Sequence, residues 1–143
     1  MINLLSGIHS TASALNAERI RMEVISQNIA NANTTRGVDG KPYAREQVIF
    51  ETELSKHQSA GALGAAAQGV HVSRIEKDAR PPRLVFNPGH PEANSEGMVA
   101  MPNINIHEEM ADMIVASRAF EANLAVVKNA RMMALQSLSI GKR

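Results

Sequence analysis

Apolar side chains recur every seven residues in the first part of the chain, from residue 1 to about residue 36. Six of eight positions are apolar in two adjacent rows, Ile8, Leu15, Met22 and Ile29, and Leu4, Thr11, Glu18 and Ile25. Such rows form one stripe on an α-helix, so the pattern predicts an amphipathic helix with a coiled-coil-like seam. Ser6 or Ser10 could cap its start. The poor helix formers at residues 31–37 are expected to end it.

A second heptad pattern covers residues 103–143. Seven of nine positions are apolar in the rows Met110, Ser117, Leu124, Arg131 and Leu138, and Met113, Phe120, Val127 and Ala134. Asn105 followed by Glu108 resembles a capping box at the start of a helix. Acidic residues in the first turns and basic residues at 142–143 match the helix dipole. The pattern therefore predicts a second long helix.

Between these helices the pattern changes to short runs rich in β-branched residues. Residues 43–50, 69–75 and 84–86 are predicted strands, separated by turn residues. Their apolar side chains predict one small β core of Val48, Phe50, Val70, Val72, Val85 and Phe86. Residues 52–68 are rich in Ser, Ala and Gly, which is typical of a mobile loop.

The predicted fold is mainly α-helical with a small β insert. Residues 1–36 form the N-terminal helix, residues 37–102 the β-rich insert and residues 103–143 the C-terminal helix. The two helices are expected to pair as an antiparallel, coiled-coil-like hairpin. Because two helices bury only one seam between them, their other Ala- and Met-bearing faces require a further partner, which is typical of a subunit in a larger assembly.

Composition excludes several classes of function. The 15 basic and 14 acidic residues are nearly balanced, which argues against a dedicated nucleic-acid-binding protein. No apolar run approaches the roughly 20 residues that span a bilayer. The first residues also lack the features of a secretory signal peptide. Composition alone therefore favours a soluble, cytoplasmic chain. Only 3% of residues are aromatic, so the expected core is modest.

No catalytic or metal-binding pattern is apparent. The chain has no cysteine, and its five histidines lack metal-ligand spacing with one another. The Gly/Ala run at residues 61–64 lacks the lysine of a phosphate-binding loop. Acidic pairs such as Glu108 and Asp112 are interpreted as a solvated helix start. We therefore expect no enzymatic activity, no cofactor and no bound metal.

Two segments with asparagine remain open to interpretation. Asn28 and Asn31, near the end of the first helix, could cap it locally, which their spacing alone favours. Alternatively, their amides could form hydrogen bonds between packed helices. In the last helix, Phe120 is predicted to be a packing anchor in a seam of Met and Ala, and Asn123 lies beside that seam.

The same segments carry a family resemblance. Residues 26–34 resemble the Ser-x-Asn-Ile-Ala-Asn-x-x-Thr signature of flagellar axial proteins, which are rod, hook and hook-associated subunits. Residues 118–123 resemble the Arg-x-Tyr/Phe-Glu-Ala-Asn motif near the C-termini of that family. Residues 82–94 and 97–103 resemble the middle of its proximal-rod members, so the resemblance extends over nearly the whole chain. Met98, where an aromatic residue is expected, and Phe120, where Tyr is commoner, depart from the pattern.

The resemblance implies a structural subunit of the bacterial flagellar basal body. Its terminal helices would assemble into the helical rod that crosses the periplasm and transmits torque. It implies export by the flagellar type III system without signal cleavage, which replaces the cytoplasmic location favoured by composition. The implied partners are the rod proteins FlgB, FlgF and FlgG, the adaptor FliE, further copies of the chain, and the export apparatus during secretion. Neither nucleic-acid binding nor direct membrane insertion is implied.

We expect assembly contacts on the apolar stripes and at the amides beside them. These positions are Ile8, Leu15, Met22, Ile25, Asn28, Ile29, Asn31, Met110, Met113, Phe120, Asn123, Leu124, Val127 and Leu138. The alternative is a cytoplasmic coiled-coil adaptor or export chaperone, whose helices would pair stably in free solution. An enzyme acting on peptidoglycan would need an acid/base or metal arrangement that the sequence lacks.

Overall fold

The computed structural model describes residues 4–37, 39–54 and 67–140, which form two long helices with strands between them. The elements in chain order are α1 (Leu4–Ala30), β1 (Glu46–Leu54), β2 (Ala67–Lys77), β3 (Arg83–Phe86), β4 (Met98–Met101) and α2 (Ile106–Ile140). The prediction of a mainly helical chain with a small β-containing middle is confirmed.

The start of α1 differs from the prediction. The chain is already helical at residue 4, so Ser6 and Ser10 lie within the helix and neither caps its start. The helix ends at Ala30, six residues earlier than the predicted boundary. The following backbone amide, that of Asn31, still donates to the carbonyl of Gln27 at 3.0 Å.

The predicted cap of α2 is confirmed. The side-chain oxygen of Asn105 accepts a hydrogen bond from the backbone N–H of His107 at 3.2 Å, and its amide donates to Glu108 at 2.9 Å. The cap therefore satisfies one of the backbone donors that a helix start leaves unpaired. Residues 141–143, which include the predicted basic end, lie outside the described residues.

The strands form two separate antiparallel pairs, β1 with β2 and β3 with β4. In the first pair Val48 is opposite Ile75 and Phe50 is opposite Val72. The single β core predicted from the sequence is therefore wrong. Phe86 lies in the other pair and is 68% exposed. The prediction omitted β4, a four-residue strand in which Val99 is the one β-branched residue.

The β1–β2 hairpin lies along α1. At its base, the backbone of Glu46 bonds to the side chain of Asn28. About four helical turns away, the backbone N–H of Val70 donates to Ser13 Oγ at 3.2 Å. A Cβ added at Gly69 would lie only 2.6 Å from the same oxygen, so this close approach requires glycine. The strands continue into both ends of the predicted loop, whose residues 55–66 lie outside the described residues.

The hydrophobic core is centred on α1. Among the described elements, α1 packs against α2 and against both strands of the β1–β2 hairpin, whereas α2 packs against α1 alone. The buried apolar residues of the helices are few and mostly small: Ala17, Val24, Ile25, Ala116 and Ala130. Neither helix, over its described length, is apolar enough to be a candidate for crossing a membrane.

Candidate assembly interface

The face of α2 that packs on α1 combines a row of small and polar side chains with a half-buried, mostly apolar row. Since α1 is the one described element that α2 contacts, the buried positions of α2 identify this face. One row is Glu109, Ala116, Asn123 and Ala130, and the other is Met113, Phe120, Val127 and Ala134. The second row was predicted from the sequence and is half-buried. The first begins one residue before the predicted row that starts at Met110.

The large apolar side chains of α2 therefore remain exposed. Met110 is 53% exposed, Leu124 38% and Leu138 69%, and all three belong to the predicted assembly residues. We call the exposed large apolar residues that follow the first turn of this helix the outer α2 surface: Met110, Ile114, Val115, Leu124, Val126, Met132, Met133, Leu135, Leu138 and Ile140. So many exposed apolar side chains on one helix are unusual for a soluble monomer and are typical of an interaction site.

The predicted stripe of α1 is more deeply covered. Ile25 is buried, and Ile8, Leu15, Met22 and Ile29 are half-buried. The positions buried most deeply in this helix also include Ala17 and Val24, which the heptad rows omitted. A stripe defined by two rows underestimates the buried surface here, because α1 is covered from two directions.

Asn28 is buried near the end of α1, where every hydrogen-bonding site of its side chain is occupied. Its amide donates to the carbonyl oxygen of Glu46 at 2.8 Å and to Glu109 Oε2 at 3.1 Å. Its oxygen accepts from the Tyr43 hydroxyl at 3.1 Å and from the backbone N–H of Glu46 at 2.9 Å. An asparagine side chain offers two donors and two acceptor lone pairs, so all of them are satisfied.

Asn28 and Asn31 therefore take the two roles that the sequence left open. Asn28 links α1 to α2 through Glu109. Asn31 acts locally, because its amide donates to the Gln27 carbonyl at 2.9 Å and its oxygen accepts from the Thr34 hydroxyl at 3.2 Å. The two asparagines lie less than one helical turn apart, yet Asn28 links two helices and Asn31 stabilises the end of α1.

Glu109 is a buried carboxylate in the first turn of α2, only 1% exposed. Its Oε1 accepts a hydrogen bond from Arg45 Nε at 2.6 Å. The interpretation of this helix start as solvated holds for Glu108, which is exposed, but it does not extend to Glu109. A buried carboxylate requires a charge partner and hydrogen bonds, and Arg45 and Asn28 provide them.

A second carboxylate in α2 reinforces this contact. Asp112 lies 3.7 Å from Arg45 and 3.9 Å from Arg21 of α1. Arg21 precedes Asn28 in α1, whereas Asp112 follows Glu109 in α2, which is the order that an antiparallel pair requires. Coiled-coil-like packing along the rest of the two helices stays a prediction.

Tyr43 contributes the remaining side chain of this cluster. Burial raises the pKa of its hydroxyl, and the carboxylates of Glu46 and Glu109 raise it further, so the group stays a hydrogen-bond donor. We call Asn28, Tyr43, Arg45 and Glu109 the polar junction. Sequence reasoning missed Tyr43 and Arg45, since their partners lie in both helices and no local pattern connects them.

The described residues contain no group of three or more histidine and carboxylate side chains that could hold a metal ion. Most of the exposed large apolar side chains in the described residues belong to the outer α2 surface. The two structural features available for a functional interpretation are therefore this exposed surface and the polar junction at the base of the helices.

Two sequence families match opposite parts of the chain. Residues 8–36 match the family "Flagella basal body rod protein", and residues 95–140 match "Flagellar basal body rod FlgEFG protein C-terminal". Three relatives are each named "Flagellar basal-body rod protein FlgC". The relative from Borreliella burgdorferi is 40% identical, with 97% of this chain and 98% of the relative covered. Those from Yersinia enterocolitica and Bacillus subtilis are each 38% identical, covering 99% and 96% of this chain and 100% of each relative.

Proposed function

Because this chain belongs to the FlgC family of flagellar basal-body rod proteins, we propose that it enters the proximal rod through its terminal helices. The chain is a structural subunit of the flagellar rod and is located in the basal body. The outer α2 surface carries the more detailed proposal, because most of the exposed large apolar side chains of the described residues belong to it.

The size of this surface is sufficient to drive assembly. Fully burying a large apolar side chain contributes about 1.5–3 kcal/mol. The ten side chains of the outer α2 surface are only 38–76% exposed, so burying their remaining exposed area would together contribute on the order of 10 kcal/mol. Ordering and association entropy offset much of this gross value, since binding costs several kcal/mol on its own. The remainder, repeated in each subunit of a helical lattice, would make the rod stiff enough to transmit torque.

The family supports other rod components as partners. We propose that these are FlgB, FlgF, FlgG, the adaptor FliE and further copies of the chain. We further propose that the chain reaches the periplasm through the flagellar type III apparatus, without signal cleavage, and that it has no catalytic role. A cytoplasmic adaptor or chaperone is not favoured, because the similarity to rod proteins covers 96–99% of the chain, including its middle.

The test is Leu124→Asp on the outer α2 surface. A charge that becomes buried without a partner at a subunit contact should cost several kcal/mol at every repeat of that contact. We expect immotile cells with truncated rods and normal amounts of secreted subunit, measured by swimming, basal-body isolation and blotting of the exported protein.

The matched control is Asn129→Asp, which introduces the same side chain at an exposed polar position of α2. It should leave rods and swimming near normal. Arg143→Ala, at a position outside the described residues, should also be nearly silent if that residue is exposed. Normal swimming with Leu124→Asp would show that this surface does not hold the rod together.

A further inference from the structure

The inward-facing row of α2 does not by itself select one alignment with α1. Its members, Glu109, Ala116, Asn123 and Ala130, repeat every seven residues, and two of them are alanines. Apolar stabilisation scales with buried area, so small side chains discriminate weakly between one alignment and another shifted by a heptad. The second inward row, the half-buried Met113, Phe120, Val127 and Ala134, adds some discrimination because its side chains differ in size. Contacts that specify the alignment by direction must come from polar side chains.

We propose that the polar junction is a three-way lock that sets the register of both α2 and the β1–β2 hairpin against α1. Its members come from α1, from the segment leading into β1, and from the first turn of α2. The proposal rests on the fold and does not depend on the rod assignment. Buried polar residues that fix helix register at the expense of some stability are known from coiled coils.

The hydrogen bonds of the junction are directional, and those of Asn28 are fully used. Glu109 offers one oxygen to Arg45 and the other to Asn28, so both neighbouring segments hold the same carboxylate. Asn28 in turn binds both backbone groups of Glu46 at the base of the hairpin. A heptad shift would replace Glu109 by Ala116 and leave Asn28 and Arg45 without that partner. An unsatisfied buried group is costly, and this cost adds to that of refitting the half-buried Met113, Phe120 and Val127.

The lock also fixes which face of α2 points outward. A helix held at its first turn by two different segments can neither slide nor rotate without breaking one of the two contacts. The outer α2 surface is thus presented in a single orientation relative to the hairpin.

The test uses a thiol pair far from the junction. The chain has no cysteine, so Ser13→Cys with Gly69→Cys introduces the only two thiols. A Cβ built at Gly69 lies 3.2 Å from the Ser13 Cβ, which is slightly shorter than the roughly 3.5–4.5 Å found in disulfides. The hairpin must therefore move slightly away from α1 to form the bond, and every variant is compared with a parent that carries the same thiol pair. The equilibrium between this disulfide and a glutathione buffer, measured in the full-length chain, reports how firmly the hairpin is held in register on α1.

The first set of variants removes hydrogen bonds that Asn28 of α1 makes with the segment leading into β1 and with α2. Tyr43→Phe removes one hydrogen bond to Asn28 and should lower the disulfide equilibrium constant about fivefold. Asn28→Ala should lower it more than tenfold. The matched control Asn31→Ala, which removes a similar amide with local partners, should change it by less than about twofold. If the disulfide equilibrium constant of Tyr43→Phe lies within twofold of the parent, the proposal is overturned. This criterion also applies if Asn28→Ala loses its helical circular dichroism and cannot be used.

The second set tests whether α2 belongs to the lock. Glu109 touches neither Ser13 nor Gly69, so an effect of Glu109→Ala on the thiol pair must pass through the junction. We expect a decrease of about fivefold or more, and less than about twofold for the control Glu121→Ala, at an exposed position of the same helix. Equal values for these two variants would show that α2 is not part of the lock and would sink the three-way proposal.

Discussion

The two terminal helices of this protein are covered to very different extents. α1 packs against both α2 and the β1–β2 hairpin, and its Ser13 and Asn28 side chains form hydrogen bonds to the hairpin. α2 packs on α1 alone and leaves its large apolar side chains exposed. α1 therefore organises the interior of the subunit, whereas α2 is the helix that we propose for contacts between subunits.

The side chains explain this division. Packing on α1 places small residues such as Ala116 and Ala130 on the inside of α2, which lets the helix axes approach closely. Most of the larger Leu, Ile and Met side chains of α2 then point elsewhere. A charge introduced on the two sides should therefore have different consequences, which makes the comparison testable.

The largest expected effect is that of Val24→Asp, since Val24 is a buried residue of α1, only 4% exposed. An unpaired charge at this position should lower the free energy of unfolding by about 3–5 kcal/mol. Met132→Asp, on the outer α2 surface, should lower it by less than about 0.5 kcal/mol in the free subunit. Urea unfolding of the purified chains measures both values, and similar losses would remove the distinction between the helices.

Limited proteolysis should show a further large difference. A helix with one packed face and no neighbour on the other depends on a partner for protection. We expect cleavage in residues 131–140 to be at least about tenfold faster than in residues 17–28 of the dilute subunit. Incorporation into basal bodies should abolish the difference. Equal protection of both segments in the free chain would favour the adaptor interpretation.

Gly69→Ala should lower the stability by an intermediate amount, because it weakens the packing of the β1–β2 hairpin on α1. The added methyl group would lie 2.6 Å from Ser13 Oγ, so the hairpin must shift away from the helix. We expect a loss of about 1–3 kcal/mol in thermal or urea unfolding. In a chain that already carries Ser13→Ala, the Ser13 hydroxyl is absent, so Gly69→Ala should cost less stability than it does in the parent chain. An equal cost in both chains would indicate that the strain arises elsewhere.

The smallest expected effect is a loss of stability at alkaline pH, caused by ionisation of Tyr43 beside α1. The pKa of Tyr43 is raised in the folded state, chiefly by burial. Its contribution to stability is therefore fully present below the unfolded pKa of about 10 and is lost as pH rises through the folded value. The stability advantage of the parent chain over Tyr43→Phe should shrink between pH 9 and pH 11, as measured by urea unfolding. A constant advantage over that range would contradict this assignment.

The sequence predicts those features whose causes are local. Heptad spacing identified both helices, and Asn105 with Glu108 identified the start of α2, because each depends on residues within a few turns. It placed one inward row of α2 correctly and the other one residue late. Hydrophobicity favours Met110, Leu124 and Leu138 over Glu109, Ala116 and Ala130, whereas close packing on α1 favours the smaller set.

The polar junction could not be predicted in the same way. Asn28, Arg45 and Glu109 are distant in the chain and meet only after both helices and the hairpin have docked. In a single sequence, a buried glutamate at a helix start is indistinguishable from the solvated acids beside it. The separation of the strands into two pairs is likewise a tertiary property, because β4 is too short to have a clear signal of its own.

The cap of α2 also has a consequence for the order of events during folding. The first turn of a helix is its slowest step, since several residues are ordered before one backbone bond forms. Asn105 lowers that barrier at one end of α2, whereas the first described turn of α1 contains no acidic residue. We therefore expect α2 to nucleate at its capped end and lengthen toward Ile140. The part of the helix farthest from the nucleus, where Leu138 and Ile140 are most exposed, would then be the last to become ordered.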